Sequence, residues 1–266
     1  MSALREVLAR ARHENRAALI AYLPSGFPTH AGCVDALTAM IENGVDVVEV
    51  GLPYSDPLMD GPVIQQAVAQ SLAQGSRIST VLETVAAVAK TGAPTVVMSY
   101  WNPIERYGVN RFAKDLADVG GVGVITPDLT PEEATPWIAA TDGNGIDRIF
   151  LVAPSSTEQR LRVVADVTTG FVYAASTMGV TGTRTSVASS AGDLVKRTRA
   201  VTTHPICVGL GVSTADQAAE VAAYADGVIV GSAFVKAILD ASSADAATNA
   251  VGALAAELAA GVRRHQ

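Results

Sequence analysis

Residues 45–62 read Val-Asp-Val-Val-Glu-Val-Gly-Leu-Pro-Tyr-Ser-Asp-Pro-Leu-Met-Asp-Gly-Pro, a β-branched run that ends in a loop of Pro, Gly and Asp. An apolar run bounded by turn residues predicts a buried strand. With the two-residue side-chain period, Val47, Glu49 and Gly51 face one side while Asp46, Val48, Val50 and Leu52 face the other. Glu49 therefore shares its face with apolar or absent side chains. Desolvation there disfavours the charged carboxylate and raises its pKa, which suits a general acid or base working near neutral pH. The plainer alternative is a core glutamate held in a salt bridge, but perturbed carboxylates at strand-end sites are more often functional than structural.

Working outward, similar runs occur at 18–23, 95–100, 122–126, 147–152, 171–175, 205–209 and 227–230, with helical stretches between them. Together with 45–52 they make eight strands. Strands alternating with helices imply right-handed parallel crossovers, and eight such units can close into a (β/α)8 barrel of the α/β class. The length of 266 residues lies near the ~250 typical of one such barrel, so a single TIM-barrel domain over 1–266 is expected. Residues 2–14 and 244–264 read as additional helices at the two ends. Thr130-Pro131-Glu132-Glu133, Ser156-Thr157-Glu158-Gln159 and Ser213-Thr214-Ala215-Asp216 each read as a helix start, the first with a cap, a proline at the first helical position and a glutamate three residues after the cap. The longest unassigned stretch, 176–190, follows the sixth strand. Because active sites in these barrels sit at the C-terminal strand ends, that loop and the loop 53–62 overhang one mouth.

Composition narrows the functions available. The 19 basic and 26 acidic residues leave a net charge of −7, which argues against nucleic-acid and anionic-membrane surfaces. Cys33 and Cys207 match no ligand spacing and read as isolated thiols of a reducing compartment. The first residues carry no apolar signal core, and no run approaches the ~20 apolar residues that span a bilayer, so a soluble cytoplasmic protein is expected. Lys90, Lys114, Lys196 and Lys236 fall in predicted helices, away from the strand ends where a carbonyl imine would form. His13, His30, His204 and His265 are scattered, without ligand spacing; His30 opens a helix and reads as a surface residue. Asp56 and Asp60 sit in Asp-Pro and Asp-Gly contexts that suit turns, and no metal is expected.

Three glycine clusters follow the last three strands: Gly179-Val180-Thr181-Gly182, Gly209-Leu210-Gly211 and Gly231-Ser232. Each alone is an ordinary turn signal. Together they fall where this fold builds phosphate sites, with bare backbone at Gly231, a hydroxyl at Ser232 and the amides opening the next helix aimed at an anion.

The segment Glu49-Val50-Gly51-Leu52-Pro53-Tyr54-Ser55-Asp56-Pro57-Leu58-Met59-Asp60-Gly61-Pro62 resembles the signature of the tryptophan synthase alpha chain family. The likeness extends in family order through Tyr100-Trp101-Asn102-Pro103, Pro127-Asp128-Leu129, Pro131-Glu132-Glu133, the three glycine clusters and Val212, and so covers essentially the whole chain. The resemblance implies retro-aldol cleavage of indole-3-glycerol phosphate to indole and glyceraldehyde 3-phosphate. It implies Glu49 as the acid and base, Asp60 as the acceptor of the indole N–H, and Gly182, Gly211, Gly231 and Ser232 as the phosphate site. Tyr22, Tyr173 and Thr181 would line the pocket, with Thr181 in reach of Asp60. Position 177 is Thr where many members carry Arg, and position 210 is Leu where an aromatic residue is common. The resemblance also implies no cofactor in this chain, pyridoxal phosphate only in a beta-chain partner, an α2β2 assembly, and partner contacts around Asp56 and Asn102. The alternatives are a free-standing lyase and a non-catalytic phosphate-binding activator.

Overall fold

Nine short strands form in the computed structural model, which describes residues 2–175, 184–209 and 211–264. They are β1 (Ala18–Pro24), β2 (Val47–Gly51), β3 (Thr95–Met98), β4 (Gly123–Ile125), β5 (Asp147–Ile149), β6 (Leu151–Val152), β7 (Val172–Ala175), β8 (Ile206–Gly209) and β9 (Gly227–Val230). All pairings are parallel, in the order β5-β4-β3-β2-β1-β9-β8-β7-β6. The two ends of that order are one stretch of chain divided at Phe150. The predicted strand 147–152 is thus split: its first half pairs with β4 and its second with β7. The sheet closes on itself at that point, where the Tyr173 amide donates to the Phe150 carbonyl at 3.0 Å. The result is an α/β TIM barrel of the (β/α)8 type.

Strand alternation sorts the side chains into two cores. Inward residues such as Ala18, Ile20, Val47, Val96, Ile149 and Phe171 pack with Leu4, Val7, Leu8 and Ala11 of the helix Ala3–His13. Outward residues such as Leu19, Leu23, Val48, Val50, Val97 and Val124 meet the surrounding helices. The first helix buries positions four, seven, eight and eleven because that spacing makes one apolar stripe, and the stripe plugs the floor of the barrel. Arg5 and Arg12 pin it there through Asp147 and Asp226, each at 3.0 Å. Close by, Arg16 grips Asp46 with two bonds of 2.7 and 2.8 Å, and Asp46 also accepts the Leu19 amide at 2.9 Å.

Extra helices depart from the plain βα repeat. Pro62–Ala73 and Ile78–Ala89 lie between β2 and β3, Trp101–Tyr107 and Val109–Asp118 between β3 and β4, and Ser232–Leu239 with Ala244–Val262 after β9. The other two expected starts do form helices, capped by Thr157 and Thr214, which accept from the Arg160 and Gln217 amides at 3.2 and 3.3 Å. The start expected at Thr130 does not form. Residues 130–134 make a single turn, and the helix is Thr135–Asn144. A helix running from Pro131 would need an amide hydrogen at position 136, and Pro136 has none; proline is tolerated only in a first turn. None of the helices among the described residues is long and apolar enough to cross a membrane.

Leu4 is fully buried in the floor. Leu4→Ala should lower the unfolding free energy by about 2–5 kcal/mol in urea titration. Arg10→Ala, on the exposed side of the same helix, should change it by less than ~0.5 kcal/mol.

Candidate active site at the barrel mouth

Toward their C-terminal ends the strands stop filling the barrel, and a cavity of about 200 Å³ opens there. Tyr22 and Tyr173 enter it from β1 and β7. Each lies across a neighbouring strand that carries no side chain at the point of contact: a Cβ at Gly51 would overlap the Tyr22 hydroxyl, and one at Gly209 would overlap the Tyr173 hydroxyl. These two glycines are required by space rather than by backbone conformation.

Glu49 stands on β2 in register with Tyr22 on one side and Val96 on the other. It is 2% exposed, and its Oε2 has no hydrogen-bond partner among the described residues. The core salt bridge that the sequence left open as an alternative is therefore not formed at that oxygen. Burial, and secondarily the negative charge of Asp60, push its carboxyl up to about 8.

Asp60 comes from the loop after β2 and is only partly buried. Burial raises its pKa, and a hydrogen bond from the Tyr100 hydroxyl to Oδ1, 3.3 Å long, works in the opposite direction. The same hydroxyl accepts the Met59 amide at 2.9 Å, while Gln65 Nε2 holds the Asp60 carbonyl at 2.7 Å. The site thus has two carboxyl groups in unlike settings, an arrangement that divides acid and base roles.

The loops after β8 and β9 line the same cavity. Gly211 has φ +64, a left-handed conformation that glycine adopts without penalty. Gly231 precedes the helix Ser232–Leu239, whose first amides have no partner within the helix and carry its positive end. Gly231 and Ser232 both line the cavity. A Cβ at Gly231 would come within 3.1 Å of the Tyr22 ring, so this glycine also makes room for the tyrosine.

Of the residues singled out in the sequence, Tyr22, Glu49, Asp60, Tyr173, Gly211, Gly231 and Ser232 meet around this one cavity. Thr177, Thr181, Gly182 and Leu210 lie outside the described residues. The apolar wall of Met98, Ile125, Leu151 and Ile229 was not singled out, although each stands two residues beyond an inward position of the strand predicted for it. Tyr100 was named only within the family likeness and given no role, since nothing local marks a tyrosine whose partner is 40 positions away. His30 is exposed at the start of the helix His30–Glu42, and no lysine is among the lining residues. Chemically, the cavity offers an apolar wall, two carboxyl groups, and bare backbone with helix-opening amides at Gly231 and Ser232.

The chain matches the family model of the tryptophan synthase alpha chain over residues 8–263. A tryptophan synthase alpha chain from Thermobifida fusca is 61% identical over 266 residues, covering 99% of this chain and 98% of that one. The one from Streptomyces coelicolor is 58% identical over 261 residues, covering 98% and 96%. A structure of Mycobacterium tuberculosis tryptophan synthase superposes with a TM-score of 0.92 at 52% identity over 99% of each chain. The alpha subunit from Legionella pneumophila gives 0.90 at 30% identity over 98% of each. On sequence along nearly its whole length and on fold, this chain belongs to the tryptophan synthase alpha chain family.

Proposed function

We propose that this chain cleaves indole-3-glycerol phosphate to indole and glyceraldehyde 3-phosphate, as a cytoplasmic lyase of tryptophan biosynthesis. The observation that carries the reading is Glu49: a desolvated carboxyl group, unpaired at Oε2 and half-ionised only near about 8, on the wall of a cavity that also holds Asp60 and an anion cradle. Below that pH Glu49 carries a proton to give. It protonates indole C3, which turns the ring into an indolenine cation able to accept electrons. The glycerol hydroxyl on the adjacent carbon then loses its proton to the Glu49 carboxylate. The bond between C3 and that carbon breaks, its electron pair returns to the ring, and the hydroxyl carbon becomes the aldehyde. One proton is given and one is taken, so Glu49 ends as it began.

In this reading Asp60 is ionised and accepts the indole N–H, a bond that strengthens as positive charge develops on nitrogen. The amides opening the helix Ser232–Leu239, the Ser232 hydroxyl and the bare backbone of Gly211 and Gly231 hold the phosphate, with Gly182 as a further member. Met98, Ile125, Leu151 and Ile229 pack against the indole. The substrate is its own electron sink, so the chain requires no cofactor; pyridoxal phosphate belongs to the beta chain. That beta chain is the partner proposed for the mouth, in an α2β2 assembly with contacts around Asp56 and Asn102. Leu58 is 74% exposed and Met59 39% exposed on the overhanging loop, apolar surface that an unaccompanied chain would leave in water. Closure by the partner would raise the cleavage rate by population shift, without supplying a catalytic residue.

Indole release from indole-3-glycerol phosphate, followed with and without the cognate beta chain, tests the assignment directly. Glu49→Gln should lose ~10²–10⁴-fold in kcat while still binding glycerol phosphate, and near-normal turnover in the folded variant would remove Glu49 from the mechanism. In the native chain kcat/KM should fall as pH rises through about 8, where Glu49 in the free enzyme gives up the proton it must donate.

The same residue makes a stability prediction. Its folded pKa lies above the ordinary carboxyl value of 4.5, so its contribution is most favourable below that value and is lost as pH climbs from there to about 8. Glu49→Gln should therefore gain stability relative to the native chain across that window, by up to a few kcal/mol in denaturant titrations at successive pH values.

Ser232→Asp places a carboxylate in the anion cradle. It should weaken glycerol phosphate binding by about tenfold or more while leaving indole binding within about twofold. Equal losses for both ligands by titration calorimetry would show general damage to the cavity.

A further inference from the structure

A carboxylate that reaches a site from a loop needs a second group to hold it, and for Asp60 that group is Tyr100. The Tyr100 ring is 2% exposed. It packs against Tyr54 with centroids 5.6 Å apart and planes tilted by 40°, and the Tyr54 hydroxyl in turn accepts from Asn102 Nδ2 at 2.9 Å. Its backbone is fixed on both sides: Ser99 Oγ donates to the Tyr100 carbonyl at 2.8 Å, and the next amide, Trp101, donates to Asp128 Oδ1 at 2.8 Å. The hydroxyl is then placed to act twice on the loop, accepting the Met59 amide and donating to Asp60 Oδ1. Accepting one hydrogen bond directs the hydroxyl proton outward to the other partner, so the two contacts reinforce each other.

We propose that Tyr100 is a positioning residue for the cleavage reaction: its hydroxyl clamps the Asp60 carboxylate and its loop over the cavity. The proposal rests on the assignment of Asp60 as the acceptor of the indole N–H. Glu49 from β2 and Tyr22 from β1 also face Asp60, and Tyr173 from β7 stands behind them facing Glu49. Asp56 in the same loop is engaged by Ser55, and Asp128 by the Trp101 amide. Among the described residues lining the cavity there is no Lys, Arg or His. The surroundings therefore favour a protonated Asp60, and the Tyr100 hydroxyl opposes them. A protonated Asp60 is a poorer acceptor for an N–H that is gaining positive charge, so the acidic limb of kcat against pH reports the clamp.

The test is Tyr100→Phe in the full chain with its beta partner, alone and combined with Asp60→Ala. Phe keeps the buried ring and deletes the two hydroxyl bonds. We expect kcat to fall roughly 10- to 100-fold with KM changed by less than about threefold, and the acidic limb to move to higher pH. In the Asp60→Ala background the same change should cost less than about twofold, because its target is gone. An unmoved kcat and acidic limb in the folded variant overturn the proposal, as does an undiminished loss in the Asp60→Ala background. If the native chain does not cleave indole-3-glycerol phosphate at all, it is the reaction assignment that fails. Titration of the 13C-labelled Asp60 carboxyl by NMR then still decides on Tyr100: a raised midpoint in the Phe variant upholds the clamp and an unchanged one removes it. Should the Phe variant not fold, 3-fluorotyrosine at position 100 supplies a stronger donor in the same ring. It should move the Asp60 midpoint to lower pH, and no movement would overturn the proposal.

Discussion

Glu49 is almost fully buried, and the charge that acts on it is that of another carboxylate. Two conditions allow that. Its carboxyl is pushed up to about 8, which favours the protonated form, and the residue borders the mouth cavity. Both depend on a barrel whose lower half is filled with packed side chains while its upper half is left open. A floor that admitted water would solvate the carboxyl and return it toward its ordinary pKa; a mouth filled with side chains would leave no room for a substrate.

The division between floor and mouth is written in the distribution of charge. At the floor, Asp46, Asp147 and Asp226 are each matched to arginines, and the helix that plugs the barrel is attached through two of them. Carboxylates there have partners and act as fasteners. At the mouth, among the described residues, the Asp60 carboxylate is partnered by the Tyr100 hydroxyl and not by a cation, and Glu49 Oε2 has no partner. Residues of the same chemical type thus serve attachment at one end of the barrel and, in the function proposed, chemistry at the other, and among the described residues the difference lies in whether a cation was provided.

Much of this was legible along the chain because it follows from periodicity. The two-residue alternation of β2 placed Glu49 inside, and the same rule applied to β3 through β9 would have given Met98, Ile125, Leu151 and Ile229. The helix starts at 156–159 and 213–216 could be read because the signals of a helix start are local. Three features were hidden for a common reason. The break at Phe150 depends on which neighbours each half of the strand finds, the turn at 130–134 depends on a second proline further along, and the hold of Tyr100 on Asp60 joins the end of one strand to the loop of another. Each is settled by a residue outside the window in which a local signal is read.

The plugged floor also constrains traffic. Leu4, Val7 and Leu8 close the lower end of the barrel among the described residues, so the cavity is a cul-de-sac. A two-part molecule that enters at the rim and is cut inside must return both fragments through the rim by which it came. One fragment would be charged and held on the Ser232 side; the other would be neutral and lodged against the apolar wall. Whatever sits on the rim therefore governs the order of departure. A cover with an opening over the apolar wall would let the neutral fragment out while the charged one still waits, which makes the geometry of the exit, and not the chemistry beneath it, the place where the two products are sorted.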